Sequence, residues 1–225
     1  MARVARWDRP LGGPLDRAGA WANMLLADHG AFRLLYPNRV RVSAELWRSS
    51  QPSPGQLAWF AARGGRTVIN LRGGREHGSW PLQREACERL GLRLEEFVLR
   101  SREAPARDAL LGADAFLDRI SYPALVHCKS GADRAGLFAA LFLLLREGRS
   151  AAEARGQLSL RYGHFRFART GILDAFLERY ERDGEGRGIG FRAWAERIYD
   201  PAALSAEFRP RFWSAMLADR LIRRE

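Results

Sequence analysis

The sequence predicts an α/β fold: a central, mostly parallel sheet of about four to five strands flanked by helices, with extra helices at both termini. Two observations carry this expectation. Short apolar and β-branched runs alternate with helical patterns through the middle of the chain, and glycines stand where a helix gives way to a strand, as at Gly64-Gly65. Beyond residue 128 the pattern is helical almost throughout.

Leu15 to Leu35 places Trp21, Leu25, Leu26 and Phe32 at near-helical spacing, so residues 1–38 read as a helical arm that ends near Pro37. The arm is expected to pack on the main core, with a resting place on a membrane surface as the alternative. Arg39 to Val42 and Glu45 to Arg48 read as short strands, and Ser49-Ser50-Gln51-Pro52 as a turn that caps the next helix. Helices are expected over Pro54–Arg63, Leu82–Leu90 and Arg107–Ile120. Strands are expected over Thr67–Leu71, Leu92–Leu99 and Ala124–His127. Helices follow near Ala135–Arg146, Ala151–Arg161 and Gly171–Arg182, with two more beyond Gly190. Asp183 to Gly190 reads as a flexible joint, which divides the chain into an arm (1–38), a main domain (39–183) and a helical appendage (184–225). Trp194, Ile198, Tyr199, Phe208, Trp213, Met216 and Leu221 of the appendage are expected to cover the core, with a dimer contact or a membrane surface as the alternative.

A chain of 225 residues, 47% hydrophobic and 28% charged, is of ordinary globular composition and long enough for one good-sized core. No apolar run approaches the roughly 18 to 20 residues of a membrane span, and the start lacks the apolar core of a secretory signal, so a cytoplasmic protein is expected. The net charge of +11, nearly all of it arginine, attracts polyanions and phosphorylated partners. The arginines are spread along the whole chain rather than along one element, which weighs against nucleic acid. Cys87 and Cys128 are expected to be reduced thiols. Oligomeric state is not legible.

The chemistry concentrates in His127-Cys128-Lys129-Ser130-Gly131-Ala132-Asp133-Arg134-Ala135-Gly136. A cysteine leaves an apolar strand, a tight loop turns at Gly131, and Arg134 opens a long apolar helix. Loop amides that precede a helix's own hydrogen bonds are available to an oxyanion, and the helix dipole favours its negative charge. Arg134 offers a planar fork that grips two phosphate oxygens at once. The same field favours a thiolate, so Cys128 is the candidate nucleophile, with residues 129–133 as the amide cradle. Attack on phosphorus gives a cysteinyl-phosphate that water then hydrolyses, a route that requires no metal or organic cofactor. His29, His77, His127 and His164 have no metal-ligand spacing.

This segment, His-Cys-x5-Arg-x-Gly after a strand, resembles the signature of the protein tyrosine and dual-specificity phosphatase superfamily. Trp47-Arg48-Ser49-Ser50-Gln51-Pro52, the strand from Thr67 to Arg72 and Tyr122-Pro123 extend the likeness to the compact, atypical dual-specificity type over residues 40 to 180. The resemblance implies that Cys128 is the nucleophile, that Arg134 binds phosphate, and that His127 supports the thiolate. Two departures stand out. Ala135 occupies a position where relatives carry Ser or Thr to help the sulfur leave, and Asp133 puts an acid in an anion-binding loop, either pointing outward or orienting a water or substrate hydroxyl.

The resemblance also implies an acid on a loop before the cysteine. Glu103, just past a strand's C-terminal end, is the first candidate, and Asp108, which equally suits the first turn of a helix, is the alternative. Arg72 and Arg102, at strand ends, are candidates for a second anionic group or plain surface arginines. His164 and Arg166 either line the pocket or sit in an interhelical loop, and Cys87 is a resolving thiol or a small core side chain. The expected function is hydrolysis of a phosphate monoester, with phosphotyrosine protein implied by the family. The alternatives are a phosphorylated lipid, sugar or inositol as substrate, a non-catalytic phosphate-binding module, and, less well fitted, a sulfurtransferase.

Overall fold

The computed structural model describes residues 6–209, which fall into two compact units. The first comprises the chain up to Val98 together with Ser121–Gly131, and the second comprises Leu99–Ile120 and the chain from Ala132 onward.

The first unit holds the sheet. Its strands are β1 (Val40–Arg41), β2 (Leu46–Ser49), β3 (Thr67–Asn70), β4 (Arg93–Glu96) and β5 (Ala124–His127), in the order β1-β2-β5-β3-β4. All neighbours are parallel except β1 and β2. β3 and β5 are buried at every position, as befits inner parallel strands whose backbone is covered on both faces. The register sets Ser49 and Asn70 on either side of His127, so the C-terminal ends of two strands, β2 and β3, flank the chain where it leaves β5.

Around the sheet lie α1 (Pro14–Ala22), α2 (Gly30–Leu35), α3 (Pro54–Ala61) and α4 (Ser79–Leu90). Ser53 and Gln56 form a reciprocal capping box at the start of α3, with Pro54 in the first helical position where no amide is needed. Leu57, Phe60, Val68, Ala86, Cys87, Leu92 and Leu125 make one apolar core. Trp7, Leu11, Ala20, Met24 and Leu82 make a second, against which Trp21 and Leu25 pack. The helix expected from Leu15 to Leu35 is not continuous. A π-helical turn at Asn23–Ala27 and a left-handed His29 interrupt it, and the change of register leaves Leu26 and Phe32 exposed. The strand expected over Leu92–Leu99 is confined to Arg93–Glu96.

The second unit is helical: α5 (Arg107–Arg119), α6 (Asp133–Leu145), α7 (Ala151–Arg155), α8 (Ile172–Asp183), α9 (Phe191–Arg197) and α10 (Pro201–Glu207). Every residue of α6 from Ala135 to Leu144 is buried, which its all-round apolar sequence demands. Phe176, Tyr180, Phe191, Trp194 and Tyr199 pack as an aromatic cluster with ring centroids 5.0 to 6.1 Å apart. Gly184 lies so close beneath Tyr180 and Trp194 that a Cβ there would sit 2.6 Å from the tyrosine ring, so the stretch read as a flexible joint is a packed turn. Ile198 is exposed rather than core-facing, and Trp213, Met216 and Leu221 lie outside the described residues. Among the described residues no helix is long and apolar enough to cross a membrane.

Candidate active site

β5 ends at His127 and α6 begins at Asp133, so residues 128–132 form the connecting loop. Three successive loop carbonyls are each claimed by a donor from residues 38–51. The Gln51 amide donates to Lys129 at 3.2 Å, Asn38 Nδ2 to Ser130 at 3.0 Å and Arg48 Nη2 to Gly131 at 2.7 Å. Drawing the carbonyls outward turns the amides toward the inner side of the loop, and the Gly131 N–H donates to Cys128 Sγ at 3.2 Å. Gly131 has φ +75°, and a Cβ there would stand 2.6 Å from the Ser50 nitrogen, so both backbone conformation and space require glycine. Cys128 is buried, while Lys129 and Ser130 are half-buried and Ala132 is buried.

A chain of buried polar side chains runs back from this loop. Gln83 Nε2 lies 2.5 Å from His127 Nε2, and its Oε1 accepts from Gln51 Nε2 at 3.0 Å. Gln51 Oε1 accepts from Arg72 Nη1, also at 3.0 Å. With the Gln83 amide donating, His127 carries its proton on Nδ1. Arg72 in turn grips both oxygens of Asp28 at 2.8 Å. Burial pushes the Asp28 carboxyl up, but the Arg72 hydrogen bonds and charge, with the nearby charges of Arg33 and His77, overcome it and hold it well below the usual carboxylate range. Burial, with repulsion from Arg72 and Lys129, pushes the His77 imidazole down against the pull of Asp28.

In the helical unit, Asp133 occupies the first turn of α6 and its Oδ1 lies 2.7 Å from His164 Nδ1. The other ring nitrogen of His164 lies 2.6 Å from Asp174 Oδ2. Burial opposes charge on His164, but the two carboxylates outweigh it and push the imidazole up to about 9. Asp133 is therefore turned to a buried imidazolium, which resolves the orientation left open by sequence. Arg134 is half-buried beside it, and Ala135 is wholly buried.

Glu103 is exposed and pairs with Arg100 at 3.2 Å. Arg102 is exposed, and so is Asp108 in the first turn of α5. Arg166 is exposed on Glu178 at 2.9 Å, a surface pair rather than a pocket wall. Cys87 sits in the apolar core, where burial, aided by Glu88, pushes its thiol up to about 12 and leaves it unsuited to act as a resolving thiol. Neither cysteine is bridged. Among the described residues no cluster of His, Cys, Asp or Glu is placed to hold a metal ion.

Sequence reasoning missed Asp28, Arg33, Gln83 and Asp174. Arg33 did leave a trace: it is one cation within the apolar run Ala31 to Tyr36. The others look like ordinary surface or capping residues until the fold folds them inward.

Residues 37–171 match the family model described as a DSP-PTPase phosphatase fused to NAD+ kinase. Among solved structures the chain is similar to TpbA of P. aeruginosa, with 20% identity over 76% of this chain and 90% of that one and a TM-score of 0.52. It is similar at 19% identity, over the same shares and with a TM-score of 0.53, to a Cys-to-Ser form of TpbA in complex with pTyr. It is also similar to the core catalytic domain of the PP-IP phosphatase SIW14 from S. cerevisiae in complex with citrate, at 17% identity over 65% of this chain and 91% of that one, with a TM-score of 0.50. At such identities the likeness shows the fold. No curated protein matches the sequence.

Proposed function

Because the chain belongs to the DSP-PTPase phosphatase family whose model its residues 37–171 match, we propose that it hydrolyses phosphate monoesters through a cysteinyl-phosphate intermediate on Cys128. One observation carries the reading: the Gly131 amide donates to the Cys128 sulfur at 3.2 Å from a loop whose carbonyls are drawn away. Donors fixed in this way before substrate arrives suit the charge that develops on equatorial phosphate oxygens.

In the first step the sulfur attacks phosphorus. The S–P bond forms, the P–O bond to the leaving group breaks, and the leaving oxygen takes a proton from Glu103, or from Asp108 as the alternative. In the second step water attacks phosphorus, gives its proton to that carboxylate and releases Cys128 as thiolate. Arg134 grips two oxygens of the transferred group, and residues 129–133 supply amides. His127, held by Gln83, supports the Cys128 thiolate, and Asp133 secures the start of α6 through His164. Arg102 belongs to this reading as a surface cation that draws anionic substrates inward.

Phosphotyrosine protein is the proposed substrate, supported by the TpbA form solved with pTyr. A phosphorylated lipid, sugar or inositol is the second reading, favoured by the buried cations around Asp28 and by the likeness to a PP-IP phosphatase. Action in the cytoplasm fits two unbridged thiols.

The test is release of inorganic phosphate from a panel of phosphopeptides, phosphoinositides and sugar phosphates by wild type and Cys128→Ser. Release that the substitution abolishes supports the mechanism and identifies the substrate class. No release from any member, with phosphate analogues still bound, assigns the chain instead as a phosphate-binding module. Glu103→Ala is expected to slow an alkyl phosphate by about 100-fold or more while a nitrophenyl ester, whose leaving group needs no proton, is slowed far less. Equal losses on both esters would remove Glu103 from the acid role and turn the search to Asp108.

A further inference from the structure

Asp133 is the one acidic residue between His127 and Gly136. It stands in the first turn of α6, immediately before Arg134. A carboxylate there suits the helix dipole, but it competes with an incoming phosphate for the same positive end. The N-cap residue, Ala132, has no side-chain acceptor, so the natural competitor for the leading amides of α6 is the Asp133 carboxylate itself.

The helical unit gives that carboxylate another partner. Asp133 Oδ1 lies 2.7 Å from His164 Nδ1, and Asp174 Oδ2 of α8 lies 2.6 Å from Nε2 of the same ring. Carboxylates that accept on both ring nitrogens require a proton on each, so the ring is an imidazolium. The side chains of Asp133, His164 and Asp174 are 13%, 1% and 8% exposed, so little water screens the attraction. From the loop that carries His164, Arg161 lies over the Tyr162 ring and Arg166 pairs with Glu178. The charges that act on the imidazole are those of Asp133 and Asp174. Asp174 holds the proton on Nε2, which leaves Nδ1–H directed at Asp133.

Resting on the reading of residues 128–134 as a phosphate loop, we propose that His164 and Asp174 are positioning residues for its α6 end. The imidazolium takes up the Asp133 carboxylate, keeps it off the leading amides of α6 and offsets its charge. An acid can then stand beside Arg134 without repelling the phosphate that Arg134 binds. His164 touches neither substrate nor nucleophile in this role; it acts through Asp133.

The experiment measures binding of inorganic phosphate to the full chain carrying Cys128→Ser, by calorimetry at neutral pH and fixed ionic strength, as a cycle of His164→Gln and Asp133→Asn. With Asp133 in place, His164→Gln is expected to weaken phosphate binding about 10-fold or more, and with Asp133→Asn in the background by less than about 3-fold. Equal losses in the two backgrounds would mean that His164 is only a brace, and would overturn the proposal, as would no loss in either. Absence of phosphate binding by the parent is a separate result: it refutes the reading of the loop, and the proposal falls with it. Should His164→Gln fail to fold by circular dichroism, the parent and Asp133→Asn are titrated with phosphate between about pH 8 and 10, across the His164 value of about 9 and where phosphate stays a dianion. Loss of the His164 proton then uncovers Asp133, so affinity is expected to fall in the parent and to stay flatter in Asp133→Asn. Parallel declines overturn the proposal.

Discussion

Replacement of Asp28 by alanine is expected to destabilise the protein by about 3 to 5 kcal/mol. The carboxylate is the common partner of Arg33, Arg72 and Ser79, and none of its surface is exposed. Its loss leaves two guanidinium groups buried against each other, with Lys129 and His77 close by. Desolvation of those charges is no longer offset, and their mutual repulsion is added. Urea unfolding of wild type and Asp28→Ala, analysed at equal slope, measures the difference. A loss below about 1 kcal/mol would mean that the arginines escape to water, and the hub assigned to Asp28 would be wrong. Because the folded-state pKa of Asp28 is depressed, its contribution is present above the unfolded carboxyl value and is lost only as pH falls through the lower folded value.

The second large effect is a decline in stability with rising pH. Burial lowers the pKa of His164, but Asp133 and Asp174 outweigh it and raise the folded value to about 9, above the ordinary 6.5 of an imidazole. A group shifted upward contributes fully below its unfolded value and loses that contribution as pH rises toward and through the folded one. At roughly 1.4 kcal/mol per unit, stability is expected to fall by about 3 kcal/mol between pH 6.5 and 9. The measurement is the urea midpoint of wild type and His164→Gln across that range. The variant starts lower and runs flat where wild type slopes down. Parallel slopes in the two proteins would place the linkage elsewhere. The consequence for function is local, since Asp133 directly precedes Arg134 in the first turn of α6.

The alternation of strand and helix was legible because it depends on short-range rules. Buried parallel strands such as Thr67–Asn70 and Ala124–His127 read as apolar runs, while the cap of α3, read at the turn Ser49 to Pro52, is Ser53, just past it. The arm was misread for the same reason. Its spacing from Leu15 to Leu35 is helical, but a π-turn and the left-handed His29 shift the register so that Asp28 and Arg33 face inward while Leu26 and Phe32 face out. Partners for those charges come from Arg72 and Ser79, both more than forty residues further along the chain, and no local pattern announces them.

By itself the sequence determined the strand–loop–helix that carries Cys128, Gly131 and Arg134, since a turn at positive φ, an anion-binding loop and an apolar helix are each written in adjacent residues. Only the tertiary structure decided which groups brace that loop and which charges surround it. Asn38, Arg48 and Gln51 reach its carbonyls, Gln83 reaches His127, and Asp28 gathers Arg33, Arg72 and Lys129. The physical reason is that a buried polar group must find its partner wherever the packed chain brings one, and that requirement is met in space rather than along the sequence.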